Sequence, residues 1–190
     1  MPEISLDNNE LEVVEEIRLL GLIIRSDLKW ISNTENMVKK ANKRLWILRR
    51  LKFLGAQDHD LVDIFVKQIR SVLELAVPAW HSGITLAEQI EIERIQKSAA
   101  HIILWERYDS YTTLGLDTLK SRRDKLSLKF GGKAEKHEKF RKWFKPAVHP
   151  KNTRQEKYKY CGVHAKHTRF RKSPLSYLTN RLNEHYIKRA

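Results

Sequence analysis

The chain of 190 residues has a single cysteine, Cys161, and therefore no intrachain disulfide. A lone thiol suits a reducing compartment, so nucleus or cytoplasm is expected. No run of about 18 uninterrupted apolar residues exists, which predicts no membrane span and no membrane partner. The opening stretch, MPEISLDNNELEVVEE, is acidic and lacks the apolar run of a secretory signal. Catalytic motifs are missing as well: there is no Gly-rich phosphate loop, no G-x-S-x-G and no H-E-x-x-H. Cys161, His164 and His167, in CGVHAKH, resemble half of a metal site, with His149 as the other nearby candidate. A closed zinc site takes four ligands in suitable geometry, and a solvated, His-containing tail is the better reading. No metal, cofactor or catalytic residue is expected.

What the chain does have is positive charge. The net charge is +14 and the pI about 9.9, a balance that favours polyanionic partners, most often nucleic acid. The charge is unevenly placed. Residues 1–110 carry 15 Lys/Arg against 17 Asp/Glu, whereas residues 111–190 carry 22 against 6. One stretch breaks that rule. KKANKRLWILRRLKFLG, Lys39 to Gly55, holds seven Lys or Arg and no acid, a basic island in an otherwise acidic half.

Hydrophobic patterning predicts a mainly α-helical chain opened by a short β-hairpin. Residues 3–25 read as short strands, with DNN as a turn signal. Such a hairpin needs further structure to cover it. Asn33 or Thr34 is expected to cap a helix that runs to about Leu54 and ends at Gly55. A second helix starts near Asp58, presents Leu61, Phe65, Ile69, Val72 and Ala76, and stops at Pro78. A third begins at Thr85, with Glu88 completing a capping box, and presents Ile92, Ile95, Ala99 and Ile102. After the link ERYDSYTTLG, a fourth helix is expected from a cap at Asp117 to about Ala134, weakened by Gly131 and Gly132. The apolar stripes are expected to bury against one another as a three- to four-helix bundle. Beyond residue 145 the sequence is mostly Lys, Arg, His, Asn, Thr and Tyr, with little apolar periodicity. An extended or disordered basic tail is expected over 146–174, with SPLSYLTNRLNEHY as one short helix. The organisation expected is therefore a hairpin (1–30), a helical bundle (31–107), a further helical segment (108–145) and a basic C-terminal extension (146–190).

In the first helix, Lys39, Lys43 and Arg50 fall near one stripe, with Lys40 and Arg44 beside it. Phosphates would satisfy such a stripe and release counterions on binding. The competing reading is a solvated face paired with neighbouring acids, for which Asp58, Asp60 and Asp63 are the candidates. Trp30 and Trp46, each beside apolar residues, are expected to pack rather than to stack on bases.

Five blocks, LLGLIIRSDLKW, NTENMVKKANKRLWILRRLKFLG, KQIRSVLELAVPAWHSGIT, IERIQKSAAHIIL and LGLDTLKSRRDKLSLKF, together resemble the C-terminal part of a non-LTR, LINE-type, jockey-like retrotransposon reverse transcriptase. The resemblance covers roughly residues 3–182. It implies a fragment of an RNA-directed DNA polymerase encoded by a mobile element. LLGLII, with Leu20, Gly21 and Leu22, would match the primer-grip hairpin at the end of the palm. Lys39–Leu54 would match the first helix of the thumb domain, which holds the RNA/DNA template–primer duplex. The palm and fingers of the parent would be its further partners. The aromatic-x-Asp-Asp motif that such polymerases use to hold their metal ions has no counterpart, for the chain contains no Asp-Asp dipeptide. Two-metal nucleotidyl transfer needs those carboxylates, so the resemblance implies no polymerase activity for this chain and at most nucleic-acid binding. Two features depart from the pattern: a short link between Tyr111 and Leu114, and Gly131-Gly132 where helix formers are expected. A helical protein-interaction module and a non-functional translated remnant are the other readings.

Overall fold

The computed structural model describes residues 5–6, 9–10, 12–105, 112–147, 158–162 and 168–188. Strands β1 (Ser5–Leu6) and β2 (Asn9–Glu10) pair antiparallel, as do β3 (Glu16–Leu19) and β4 (Leu22–Arg25), in which Glu16 faces Arg25 and Leu19 faces Leu22. The β3–β4 turn is formed by Leu20 and Gly21, both at positive φ (48° and 88°). Two left-handed residues match the twist of a two-residue hairpin, but a leucine in that region carries backbone strain. The hairpin is held to the following helix by Asn33, whose Oδ1 accepts from the Ile23 amide at 3.1 Å, and by Leu22, which enters the core.

Helix α1 (Ile31–Phe53) begins earlier than its sequence signals suggest. Asn33 and Thr34 do not cap it. Both are buried within its first turn, Asn33 bonded to β4 and Thr34 donating to Glu88 at 3.1 Å. Tertiary partners therefore claim the polar groups that the local pattern assigns to a cap. Gly55 follows the helix at φ +86°, as expected of a helix stop.

Helix α2 (Asp58–Ile64) runs without a break through a π-helical stretch (Phe65–Arg70) into α3 (Ser71–Leu73). Leu61, Phe65, Ile69 and Leu73 are all fully buried. A strict four-residue repeat overshoots the 3.6-residue α-helical turn by about 40° per step. The wider π turn takes up that overshoot and keeps the four residues on one face. Leu73 thus replaces the expected Val72 in the core. Ala76 is exposed in a left-handed conformation (φ 48°), and Pro78 lies in the first turn of a new short helix, α4 (Val77–Trp80), rather than ending the old one. Helix α5 (Leu86–Leu104) has the expected capping box between Thr85 and Glu88.

Helix α6 (Leu119–Ala134) is capped by Thr118, not Asp117: the Thr118 side chain accepts from the Ser121 amide at 3.1 Å. Asp117 is held otherwise, its carbonyl accepting from Gln96 Nε2 at 2.9 Å and its carboxylate pairing with Lys125 at 2.6 Å. Glu93 of α5 accepts from the Leu119 and Lys120 amides at 3.2 and 2.7 Å, a carboxylate at the positive end of the helix. The helix is continuous through Gly131 and Gly132. Gly131 lies in the contact with a later helix, α9 (Pro174–Ile187), where an added Cβ would stand 3.5 Å from Leu178 and Leu182.

A 3-10 turn (His81–Gly83) follows α4, and two short helices, α7 (Glu138–Arg141) and α8 (Thr168–Arg171), complete the described elements. One large core joins α1, the α2–α3 helix, α4 and α5; a smaller cluster contains Ala134, Phe144, Tyr160, Leu178 and Leu182. Part of the C-terminal extension is built into the fold. Tyr160 is buried, Asn183 exchanges two hydrogen bonds of 2.9 Å with its backbone, and its hydroxyl donates to Glu135 at 2.6 Å. Most of the expected irregular stretch, 148–157 and 163–167, and residues 106–111 of the link lie outside the described residues.

The two cores are joined by a polar group. His81, after α4, donates from Nε2 to Asp124 (2.8 Å) and accepts at Nδ1 from Arg123 Nε (3.3 Å). Tyr177 donates to Asp124, and Arg181 pairs with it at 2.9 Å. Burial lowers the His81 pKa below its ordinary value, against the pull of Asp124. For Asp124, burial acts upward but the bonds from Tyr177, His81 and Arg181 outweigh it and the net shift is downward. Burial and Asp124 push Tyr177 up to about 12. Both neighbours thus fix His81 as the neutral Nε2–H tautomer.

Three outcomes follow for stability. Because folded His81 binds its proton less readily than unfolded, stability is fully present above pH 6.5 and falls as pH drops below it. The slope reaches up to about 1.4 kcal/mol per pH unit, and His81→Gln should flatten it in urea titrations between about pH 5 and 7. Gly132→Ala, with open space around the new Cβ, should raise the unfolding free energy by up to about 1 kcal/mol. Gly83→Ala would place a Cβ 2.6 Å from the Trp30 ring and should lower it by about 1–3 kcal/mol. Equal stability of these two glycine variants would refute the packing described.

Candidate nucleic-acid interface

Helix α1 divides its surface sharply. Met37, Ala41, Leu45 and Leu48 are buried against the α2–α3 helix and α5. On the opposite side, Lys39, Lys43, Trp46, Arg50 and Phe53 follow one another at intervals of four and three residues, with Lys39, Lys43, Arg50 and Phe53 exposed and Trp46 standing in solvent among them. That spacing keeps them on one line along the crest of the helix, about 21 Å long at 1.5 Å per residue. Glu35, one turn before Lys39, closes the line at its N-terminal end.

The acids that could neutralise this face are engaged elsewhere. Asp58 takes Lys52 at 2.6 Å, Asp60 faces His59 at 3.3 Å and Asp63 takes Lys67 at 2.7 Å. Among the described residues, Lys39, Lys40, Lys43, Arg49 and Arg50 have no ion-pair partner. Arg44 is different: it donates to the Gln68 carbonyl of the π-helical stretch, which ties it to the fold. Of the five cations singled out in the sequence, four are thus brought to the solvent face and one is held in packing. Arg50 also lies over the Phe53 ring, 5.6 Å from its centroid.

The flanks restrict where a polyanion could lie. Toward α5, Lys39 and Lys43 border an open cleft of ≈ 640 Å³ that also exposes Glu35, Glu88 and Glu91. Carboxylates there repel phosphate, so the crest itself is the most favourable path. In the hairpin, Leu20, Gly21 and Leu22 separate by role. Leu22 is 8% exposed and belongs to the core, Gly21 forms the turn beside Leu75, and Leu20 at the tip is 91% exposed. Leu20 and the Gly21 backbone are exposed at the tip, whereas Leu22 is not available to a ligand.

Trp30 packs against Gly83 as expected, but Trp46 is 64% exposed and Phe53 79%. The expectation that Trp46 packs fails because its position follows the crest of Lys39, Lys43 and Arg50, not the stripe of Leu45 and Leu48. That phase is readable from the sequence; the apolar neighbours obscure it. Cys161 is exposed, while His149, His164 and His167 lie outside the described residues. Among the described residues no group of three or more His, Cys, Asp or Glu could hold a metal ion. None of the described helices is long and apolar enough to cross a membrane.

No family model, curated protein or solved structure matches this chain.

Proposed function

We propose that this chain is a non-catalytic, nucleic-acid-binding piece of a non-LTR retrotransposon reverse transcriptase, with α1 acting as the first helix of its thumb. The observation that carries this reading is the row of cations on the α1 crest without an ion-pair partner, with Asp58 and Asp63 paired to Lys52 and Lys67 and Asp60 in contact with His59. The order of elements agrees with it, since a tight hairpin leads directly into a long helix. Lys39, Lys40, Lys43 and Arg50 contact the phosphates of a template–primer hybrid, and the lack of an Asp-Asp pair leaves the chain without polymerase activity of its own. A second reading, a helical protein-interaction module, is favoured by an apolar groove of ≈ 680 Å³ bordered by Pro78, Phe130, Trp143, Phe170 and Leu175.

Fluorescence anisotropy with a labelled RNA–DNA hybrid at two salt concentrations separates the two. The nucleic-acid reading expects binding that weakens steeply with salt. In the triple variant Lys39→Gln, Lys43→Gln, Arg50→Gln the salt slope should fall by about 0.9 for each phosphate that is no longer neutralised. Arg44→Gln should leave affinity nearly unchanged and lower stability instead. No binding at low salt would sink the nucleic-acid reading, as would a triple variant that binds as tightly as the parent. The first result would leave the protein-interaction reading in place.

A further inference from the structure

We propose that the crest of α1 holds a single-stranded segment, with unpaired bases stacked on Trp46 and Phe53 and the phosphates on either side of Trp46 met by Lys43 and Arg50. This inference rests on the nucleic-acid reading above. It narrows the ligand of α1 from the double-stranded part of a hybrid to an unpaired extension of it.

The argument begins with what a duplex can offer. In a paired helix the base faces are hidden in the stack, and an approaching protein meets phosphates, sugars and base edges. A purely basic crest would suit that surface. This crest is not purely basic, because Trp46 stands near its middle, between Lys43 and Arg50, and is more than half exposed. A duplex phosphate laid on the face of that indole would lose water and gain no hydrogen-bond partner from it. An unpaired strand presents base faces as well as phosphates, and aromatic rings alternating with cations satisfy both.

The spacing agrees. Trp46 and Phe53 are two helical turns apart, about 10 Å along the axis. A stacked strand advances about 3.4 Å per nucleotide, so the two rings are separated by about three nucleotides. Arg50 lies between them in sequence, with its guanidinium 5.6 Å from the Phe53 centroid. That placement holds the cation over one face of the ring, near the phosphate that would follow a base stacked on the other face. No acid lies between Lys39 and Gly55, so the segment from Lys43 to Phe53 carries no carboxylate of its own, and Glu35, Glu88 and Glu91 lie toward the cleft on its α5 side.

Neither ring supports the core, so removing both should leave the far-ultraviolet circular dichroism and the melting temperature nearly unchanged. The test uses the full chain, anisotropy at low salt and three labelled probes: a single strand of about 12 nucleotides, the same strand with abasic central positions, and a blunt RNA–DNA hybrid. The intact strand should bind at least about 10-fold tighter than the abasic one. The double variant Trp46→Ala, Phe53→Ala should lose that advantage and still bind the abasic strand and the hybrid as the parent does. Trp46→Phe should recover most of it. Should the abasic strand and the blunt hybrid bind as tightly as the intact strand, the stacking inference is overturned while phosphate binding stands. Should none of the three bind, both readings fall and the crest is left to a protein partner.

Discussion

The C-terminal third of the described structure depends on one buried polar junction. His81 comes from the turn after α4, Arg123 and Asp124 from α6, and Tyr177 and Arg181 from α9. Among the described residues the smaller hydrophobic cluster has only five buried members, little apolar area to order so much chain. The junction attaches it to the larger core, and one of its bonds, from Arg123 Nε to His81 Nδ1, needs the neutral imidazole. A proton on His81 Nδ1 would point at the Arg123 Nε–H, donor against donor. Arg123 itself is fully buried over the Trp80 ring, at 5.9 Å, with Asp124, Glu93 and Glu74 within electrostatic reach. Removing one member of such a group leaves a buried charge or dipole without its complement, and that penalty exceeds the net stabilisation of the bond itself.

The elements legible in the sequence are those whose signals are local. Thr85 and Glu88 fix the start of α5 because a capping box closes within four residues. Gly55 ends α1 because a glycine enters the left-handed region without steric penalty. The hairpin, α1, α5, α6 and the final helix are all visible as runs of periodic residues. What is not legible depends on partners far along the chain. Asn33 and Thr34 look like caps but bond to β4 and α5, and Glu93 reaches from α5 to the first turn of α6. The π-helical stretch also escapes a 3.6-residue template, since that template places Val72 rather than Leu73 inside.

The candidate site shows the same division. The cations of α1 can be counted from the sequence, but not which of them are free. Arg44 resembles Lys43 in composition and position, yet it bonds to the Gln68 carbonyl. Trp46 resembles a core residue by its neighbours and stands in solvent by its phase. The junction around His81 gives no warning, because its five members span residues 81 to 181 and no local spacing connects them.

Charge counting misleads for a related reason. The first 110 residues hold slightly more acids than bases, which suggests a surface unattractive to a polyanion. The described acids are, however, largely engaged in structure. Asp58 and Asp63 pair with Lys52 and Lys67, Glu74 holds Arg122 at 2.5 Å, Glu88 caps α5 and Glu93 caps α6. Each acid so used neutralises a base or a helix end near itself, and its field fades within about a Debye length of 8–10 Å. The α1 crest keeps its cations without such a partner, so its local potential is positive although the half of the chain that contains it is not. A polyanion responds to that local potential, and the placement of acids at helix ends and on neighbouring bases is what creates it.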